Sequence, residues 1–298
     1  MVTASEADFS VIVPVGPSSI EVERLGDTLD SLAAHVGSAC IRLIIVDDSP
    51  VPRQLADHWP SALVIRTTLW ENGTTDPLSA HTAGTLEALK RAEGAFALKL
   101  DTDAVVIAPF AEAITAAFRR DDRLGVVGAF ETSPQGRARD WSGWPRVIGR
   151  TTWPVRAARI SGKALPSLGW RSKAERDAAR RIISAAAANP EYSLGAHCLG
   201  GAYAVSAKLL ELSHEWDWNP FVGSQLGEDV TLGLHCGACG MRMRGMVDEG
   251  DPFGVSWIGL PDDPESLVRR RYSIVHSVKD CEYGSEWQLR AWFRAHCR

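Results

Sequence analysis

The residues best suited to chemistry are acids that come in close pairs. Asp101-Thr102-Asp103 sets two carboxylates two positions apart, and in an extended segment such residues point the same way. Carboxylates held that close repel one another unless a cation joins them. Their hard oxygens suit Mg2+ or Mn2+, ions that leave coordination positions open for substrate phosphates. A solvated turn after a strand is the other reading of the triplet taken alone. Asp47-Asp48 and Glu228-Asp229 are further acidic pairs, and the second can equally be read as acids favoured by the dipole of a helix running on from Val230. Near the C-terminus, Arg269-Arg270-Arg271 leads through Tyr-Ser-Ile-Val to His276 and Lys279, a basic cluster in a chain of net charge -5. Such a run is either an anion contact or a solvated face. His235-Cys236-Gly-Ala-Cys239 brings two thiols together. Zinc needs two more ligands and no second close pair supplies them, so small buried thiols on a helix are the simpler reading.

These groups need a scaffold, and the first half of the chain alternates β-branched runs with helical patterns, the signature of an α/β fold with a mainly parallel sheet. The strands expected are Phe9 to Val15, Ile41 to Val46, Ala62 to Thr67, Ala95 to Leu100 and Leu124 to Phe130. Between them, Ser18 and Glu21 have capping-box spacing before a helix whose Val22, Leu25, Leu29, Leu32 and Val36 share a face. A second helix runs from Ser79 to Ala92, stopped by Gly94, and a third is opened by Pro109. Asp47-Asp48 and Asp101 to Asp103 follow strands directly, and open α/β sheets bind ligands beyond the carboxyl ends of their strands. From Ser133 to about Leu168 the periodicity disappears, as in a long loop or small excursion. Lys173 to Ala188 and Ser285 to Ala295 read as helices, and Gly200-Gly201 leads into the short apolar run Ala202 to Val205.

With 298 residues and 45% hydrophobic content, the chain can bury a large core. Its apolar runs are too short to cross a bilayer and no signal segment opens it, so no integral membrane segment and a cytoplasmic location are expected. The net charge gives no general attraction to nucleic acid. Six scattered cysteines point to reduced thiols rather than a disulfide framework. Of eleven tryptophans, Trp141, Trp144, Trp153 and Trp170 in or beside the irregular segment, and Trp216 and Trp218 before Glu228, could face sugar rings or fill the core.

Several blocks in order resemble the family 2 glycosyltransferases: Ser10 to Val15, Ile44 to Ser49, Glu71-Asn72-Gly73 with Ala83-Gly84, Lys99 to Asp103, Gly200 to Tyr203, and Gly227-Glu228-Asp229. The resemblance covers roughly residues 9 to 235 and implies a single Rossmann-like GT-A domain over 1–298, with a nucleotide-sugar half (9–131) and an acceptor half (132–298). It implies that Pro14 and Val15 meet the nucleotide through backbone, that Asp47 accepts from base or ribose with Asn72 nearby, and that Asp101 lies by the ribose or donor sugar. Asp103 would ligate the Mn2+ or Mg2+ that bridges the diphosphate, with Asp101 and His276 as further ligands and Arg271 and Lys279 closing over the phosphates. The donor would be a nucleotide-diphosphate sugar, a UDP-sugar by preference, and the acceptor a carbohydrate or other hydroxyl. Asp229 would be the base and Glu228 its positioning partner, in a single displacement that inverts the anomeric carbon. Gly16-Pro17 departs from the family's text. Two rival readings stand beside this one: a sugar-nucleotide nucleotidyltransferase, which the lack of a glycine-rich basic loop after the first strand disfavours, and an inactive GT-A domain that binds a glycan or protein.

Overall fold

The computed structural model describes residues 7–71, 77–132, 137–153, 155–160, 163–170, 172–213, 219–221, 224, 226–246, 250 and 252–297. Strands and helices alternate through the first part of the chain: β1 (Phe9–Val15), α1 (Ile20–His35), β2 (Ile41–Asp47), the short turn α2 (Leu55–His58), β3 (Leu63–Ile65), the short turn α3 (Thr68–Glu71), α4 (Pro77–Leu89), β4 (Phe96–Leu100), β5 (Val105–Val106), α5 (Ala111–Arg120) and β6 (Leu124–Gly128). Next come α6 (Trp144–Gly149), a hairpin of β7 (Val155–Ile160) and β8 (Lys163–Trp170), α7 (Lys173–Ala188), β9 (Ala202–Ser206), α8 (Ala207–Ser213) and α9 (Glu228–Ala238). The chain ends with β10 (Arg242–Arg244), β11 (Phe253–Val255), α10 (Pro264–Arg269), β12 (Ile274–His276) and α11 (Glu286–His296).

Seven strands form the central sheet in the order β10-β6-β9-β4-β1-β2-β3. Every neighbouring pair is parallel except the two that involve β9. The middle strands are buried on both faces, which is why they read as unbroken apolar runs. In β1, Phe9, Val11, Val13 and Val15 pack with Leu25, Phe96 and Ile114, while Ile12 packs on the other face with Ile44, Leu86 and Leu234. Each such side chain contributes about 1.5–3 kcal/mol on burial. Parallel pairing from Phe9↔Ile41 to Val15↔Asp47 brings the carboxyl ends of β1 and β2 level. Because β9 runs the other way, with Ala202 opposite Leu100, Gly200-Gly201 arrives at that same edge beside Asp101.

A second, three-stranded sheet in the order β11-β12-β5 sits over the acids that follow β4. It has its own small core of Val105, Ile107, Leu260, Leu267, Val275, Leu289 and Phe293. Strands this short carry no readable period, and the sequence pattern left them unmarked. The stretch from Ser133 to Leu168, read as a long loop or small excursion, contains α6 and most of the β7–β8 hairpin. Three expectations need correction. Ser18 and Glu21 form no capping box: Ser19 is the N-cap and makes no side-chain cap bond, because the Glu21 carboxylate is drawn to Arg24 and Thr102 instead. The strand expected over Ala62 to Thr67 is confined to Leu63–Ile65, and that over Leu124 to Phe130 stops at Gly128. By contrast, α7 starts on a full capping box between Ser172 and Glu175, and Gly94 takes φ +88, where a Cβ would meet the Asp8 carbonyl at 2.6 Å. Among the described residues no helix is long and apolar enough to cross a membrane.

Candidate active site

The acids after β4 are completed by a residue far along the chain. Asp103 leads into β5, and β5 pairs antiparallel with β12, Val105 opposite Val275 and Val106 opposite Ile274. That register carries the next residue of β12, His276, to the acids. Ligand atoms of Asp101, Asp103 and His276 all lie within 4.8 Å of one another. Nε2 of His276 is 3.0 Å from Asp103 Oδ1 and 3.6 Å from Asp101 Oδ2. Its Nδ1 is 2.8 Å from the Ser256 carbonyl, and since a carbonyl can only accept, Nδ1 carries the hydrogen and Nε2 faces the carboxylates, the arrangement usual for a metal-binding imidazole. Gly201 makes room for the ring, for a Cβ there would fall 2.2 Å from Nδ1.

Asp103 is buried, which by itself would raise its pKa. His276 and Lys279 beside it more than offset that burial and hold the carboxyl well below the usual range, so it stays ionised. Lys279 Nζ is 2.7 Å and Ser277 Oγ 2.6 Å from Asp103 Oδ2. Two carboxylates and one imidazole form a mixed oxygen–nitrogen donor set that fits a divalent cation.

Lys99 ties this cluster to the acids of α9. It lies on the strand before Asp101 with its side chain 1% exposed, and Nζ reaches Asp101 Oδ1 at 2.5 Å, the Gly200 carbonyl at 2.5 Å and Glu228 Oε1 at 3.2 Å. Burial lowers the affinity of Lys99 for its proton, yet Asp101 and Glu228 outweigh that and raise its pKa, so it is charged. Glu228 also faces His81 Nε2 at 3.6 Å, whose Nδ1 lies 3.4 Å from Asp48. Burial pushes the Glu228 pKa up, but Lys99 and His81 bring it below the ordinary carboxylate value.

Asp229 behaves oppositely. Burial first, and then the neighbouring Glu228 charge, push its pKa up to about 7. It accepts from the Val230 amide at 2.7 Å, and Gly227 before it leaves space that a Cβ would close to 2.6 Å from Oδ1. His197 Nε2 stands 3.9 Å away but is no counter-ion. Its Nδ1 donates to the Gly195 carbonyl at 2.8 Å, Arg139 lies 2.9 Å from Nε2, and burial lowers its pKa to about 4, so the ring is neutral at pH 7. Trp141 and Trp144 meet that ring edge-on at 5.0 and 4.9 Å, fixing the wall beside Asp229.

The remaining expected residues are dispersed. Pro14 and Val15 end β1 at the carboxyl edge, buried. Asp47 is already engaged, accepting from Arg53 backbone and guanidinium at 2.9–3.0 Å and from Ser49 at 2.5 Å. Arg53 also donates to the Val15 carbonyl, so two expected nucleotide contacts are bridged by one arginine. Arg271 is not brought to the acids. It precedes β12 with φ +63 and lines a separate cavity of about 400 Å3 with Pro109, Val268 and Tyr272; five residues of extended chain to His276 span up to ~16 Å. Asn72, Trp216 and Trp218 lie outside the described residues, as does the side chain of Trp170, while Trp153 is exposed. Cys236 is buried, its thiol 3.5 Å from the Arg242 carbonyl, and among the described residues the acid–histidine group is the one that gathers three metal-binding side chains.

Sequence reasoning passed over Lys99, His81 and the Arg139–His197 pair. Lys99 had a readable signal, a charge inside an otherwise apolar strand. His81 and His197 had none, since their roles come from tertiary placement.

The architecture is that of the GT-A glycosyltransferases, an α/β fold whose mainly parallel sheet is flanked by helices. Of solved structures, the apo WbbM bifunctional glycosyltransferase superposes with a TM-score of 0.52 over 100% of this chain and 51% of its own, at 11% identity. The galactosyltransferase LgtC, in complex with donor and acceptor sugar analogs, gives 0.49 at 12% identity over 96% and 95%. The mannosyltransferase PcManGT from Pyrobaculum calidifontis, with GDP-Man and Mn2+, gives 0.37 at 16% over 76% and 50%. The chain spans about half the length of WbbM and of PcManGT, and the fold likeness rests on WbbM. No family model and no curated protein matches the sequence.

Proposed function

We propose that this protein transfers a glycosyl group from a nucleoside-diphosphate sugar to a hydroxyl acceptor, with a divalent cation held by Asp103, His276 and Asp101. The observation that carries the reading is the convergence of these three side chains at the carboxyl edge of a GT-A sheet, with Asp229 across the Gly200-Gly201 strip. When bound, Mn2+ or Mg2+ there stabilises the negative charge that develops on the departing diphosphate. Lys279, half exposed beside Asp103, supplies a second positive charge at the same place. The acceptor oxygen bonds to the anomeric carbon as the bond from that carbon to the diphosphate breaks, and Asp229 takes the acceptor proton. Its raised pKa suits a base working near neutrality. Glu228, ionised and fixed by Lys99 and His81, keeps that pKa high and holds the start of α9 in place. Attack from the side opposite the leaving group inverts the anomeric carbon. Arg53 would swing from Asp47 to open the base pocket.

The test is thermal melting against UDP, GDP and their sugars, with UDP-sugars first, in Mn2+ or in chelator. A nucleotide at one hundred times its dissociation constant adds about 2.7 kcal/mol of stability. Asp103→Ala is expected to abolish the Mn2+-dependent part of the shift. A full shift in chelator, or an undiminished one in Asp103→Ala, defeats the cation assignment.

A further inference from the structure

A second cluster of buried charges has no task in the mechanism above. Arg290 of α11 has a side chain with 0% exposure and heads the largest fully buried side chains. Its donors all go to protein: Nε to Glu286 at 3.0 Å, Nη1 to Asp27 at 2.6 Å, and Nη2 to the Thr102 carbonyl at 2.8 Å. That carbonyl belongs to the residue between the two candidate carboxylate ligands. The hydroxyl of Thr28, on α1, points between the same oxygen at 2.8 Å and the Ala104 carbonyl at 2.9 Å, and the Thr102 hydroxyl donates to Glu21. Arg24 closes the ring, pairing with Glu21 at 2.6 Å and with Glu286 through bonds of 2.5 and 2.7 Å. Two helices from opposite ends of the chain therefore grip one peptide group.

A buried ion network of this kind adds little net stability over apolar packing, so its consequence is better sought in geometry. The peptide group is planar, and fixing the Thr102 carbonyl fixes the orientation of the 102–103 link, from which Asp103 projects, with Asp101 one residue before it. The two carboxylates repel, and without the grip that link could turn to part them. We infer that Arg290 and Thr28 are positioning residues for the cation site, acting from behind on the Thr102 carbonyl so that Asp101 and Asp103 are presented to one ion. The inference rests on the cation reading given above, but it concerns residues that touch neither cation nor substrate.

Mn2+ binding to the full chain, followed by the paramagnetic resonance of free Mn2+, tests it. Thr28→Val removes the hydroxyl while keeping the shape, and Arg290→Lys keeps the charge while losing the three-way fork. Both are expected to weaken Mn2+ binding by about 10-fold, the usual effect of losing an outer-shell partner. In metal-free protein both should also speed hydrogen exchange at the Ala104 amide, which bonds the Asp101 carbonyl at 3.0 Å. Ser31→Ala, which removes a neighbouring α1 hydroxyl bonded to the Val106 amide rather than to Thr102, is expected to leave the affinity within about twofold. If Arg290→Lys fails to fold by circular dichroism, Thr28→Val alone decides. Wild-type Mn2+ affinity in a folded Thr28→Val overturns the positioning role. An absence of Mn2+ binding by the wild-type chain instead removes the cation site itself, and this inference with it.

Discussion

Replacing Asp229 by asparagine should make the protein inactive and, above neutral pH, more stable. Burial and the Glu228 charge raise the Asp229 pKa from 3.8 to about 7, while in the unfolded chain the group returns to the ordinary value near 4. Between those values the native carboxyl keeps a proton that the unfolded chain has released, so its contribution to stability is whole below pH 4 and is lost as pH rises through 7. A tenfold difference in proton affinity between the two states corresponds to about 1.4 kcal/mol, giving an upper bound near ~4 kcal/mol for the ionised form at pH 8.5. Part of that sum is repulsion from Glu228, which a small rearrangement can relieve, so the expected gain for Asp229→Asn is about 2–4 kcal/mol. Asparagine retains the oxygen that accepts from the Val230 amide, so the start of α9 keeps its bond. In a chain of this length that is a rise in Tm of roughly 4–8 °C at pH 8.5, shrinking as pH falls and vanishing only below about pH 4, where the carboxyl is protonated in the folded and the unfolded chain alike. Calorimetry of the two proteins at pH 5, 6, 7 and 8.5 gives the comparison, and transfer by the wild type should climb through pH 7 as the base ionises. A stabilisation that is the same at every pH, or a loss at pH 8.5, refutes the assignment of a raised carboxyl at Asp229.

Two other substitutions address the frame around the site. Gly201→Ala places a methyl 2.2–2.4 Å from three atoms of the His276 ring, so the ring must leave the acids; we expect about 1–3 kcal/mol of destabilisation and loss of Mn2+ binding, and crystals showing His276 unmoved would contradict this. Lys99→Met leaves Glu228 and Asp101 without their shared cation, which by analogy with broken buried pairs costs about 3–5 kcal/mol. Adding Glu228→Gln should recover part of that loss in denaturant melts, and strict additivity of the two changes would show that they are not coupled.

Much of the frame was legible because the sheet interior imposes a simple pattern. Strands buried on both faces must be apolar throughout, and β1, β2 and β4 are, apart from the buried Ser10 and Lys99 and a few polar or half-covered positions in β2. The acids after β4 could be located for the same reason, since polarity returns where the strand leaves the sheet. His276 was reachable as a candidate, although its delivery to Asp103 depends on β5 and β12, elements of two and three residues that no periodicity announces. Arg271 shows the same blindness: three basic residues in a row look like one patch, whereas Arg271, at φ +63, lines a cavity with Pro109, Val268 and Tyr272 while Lys279 pairs with Asp103. The capping box at Ser18 failed because a local bond competed with a tertiary one, and Thr102 and Arg24 drew Glu21 away.

What no linear reading could supply is the alternation of charge across the site. From Asp48 the contacts pass to His81, Glu228, Lys99, Asp101, His276, Asp103 and Lys279, acid and base in turn, each step between 2.5 and 3.6 Å. Buried charge is tolerable only when paired, and this sequence of contacts pairs every acid it includes. Asp229 stands outside it. The nitrogen base beside it, His197, is neutral because burial, reinforced by the Arg139 charge, lowers its pKa to about 4. An acid excluded from the compensation that its neighbours share is left with its proton affinity raised, and that is the property a base acting on a neutral hydroxyl requires. The opposite proton affinities of Glu228 and Asp229, adjacent in sequence and alike in chemistry, thus follow from burial and from which of them Lys99 pairs with.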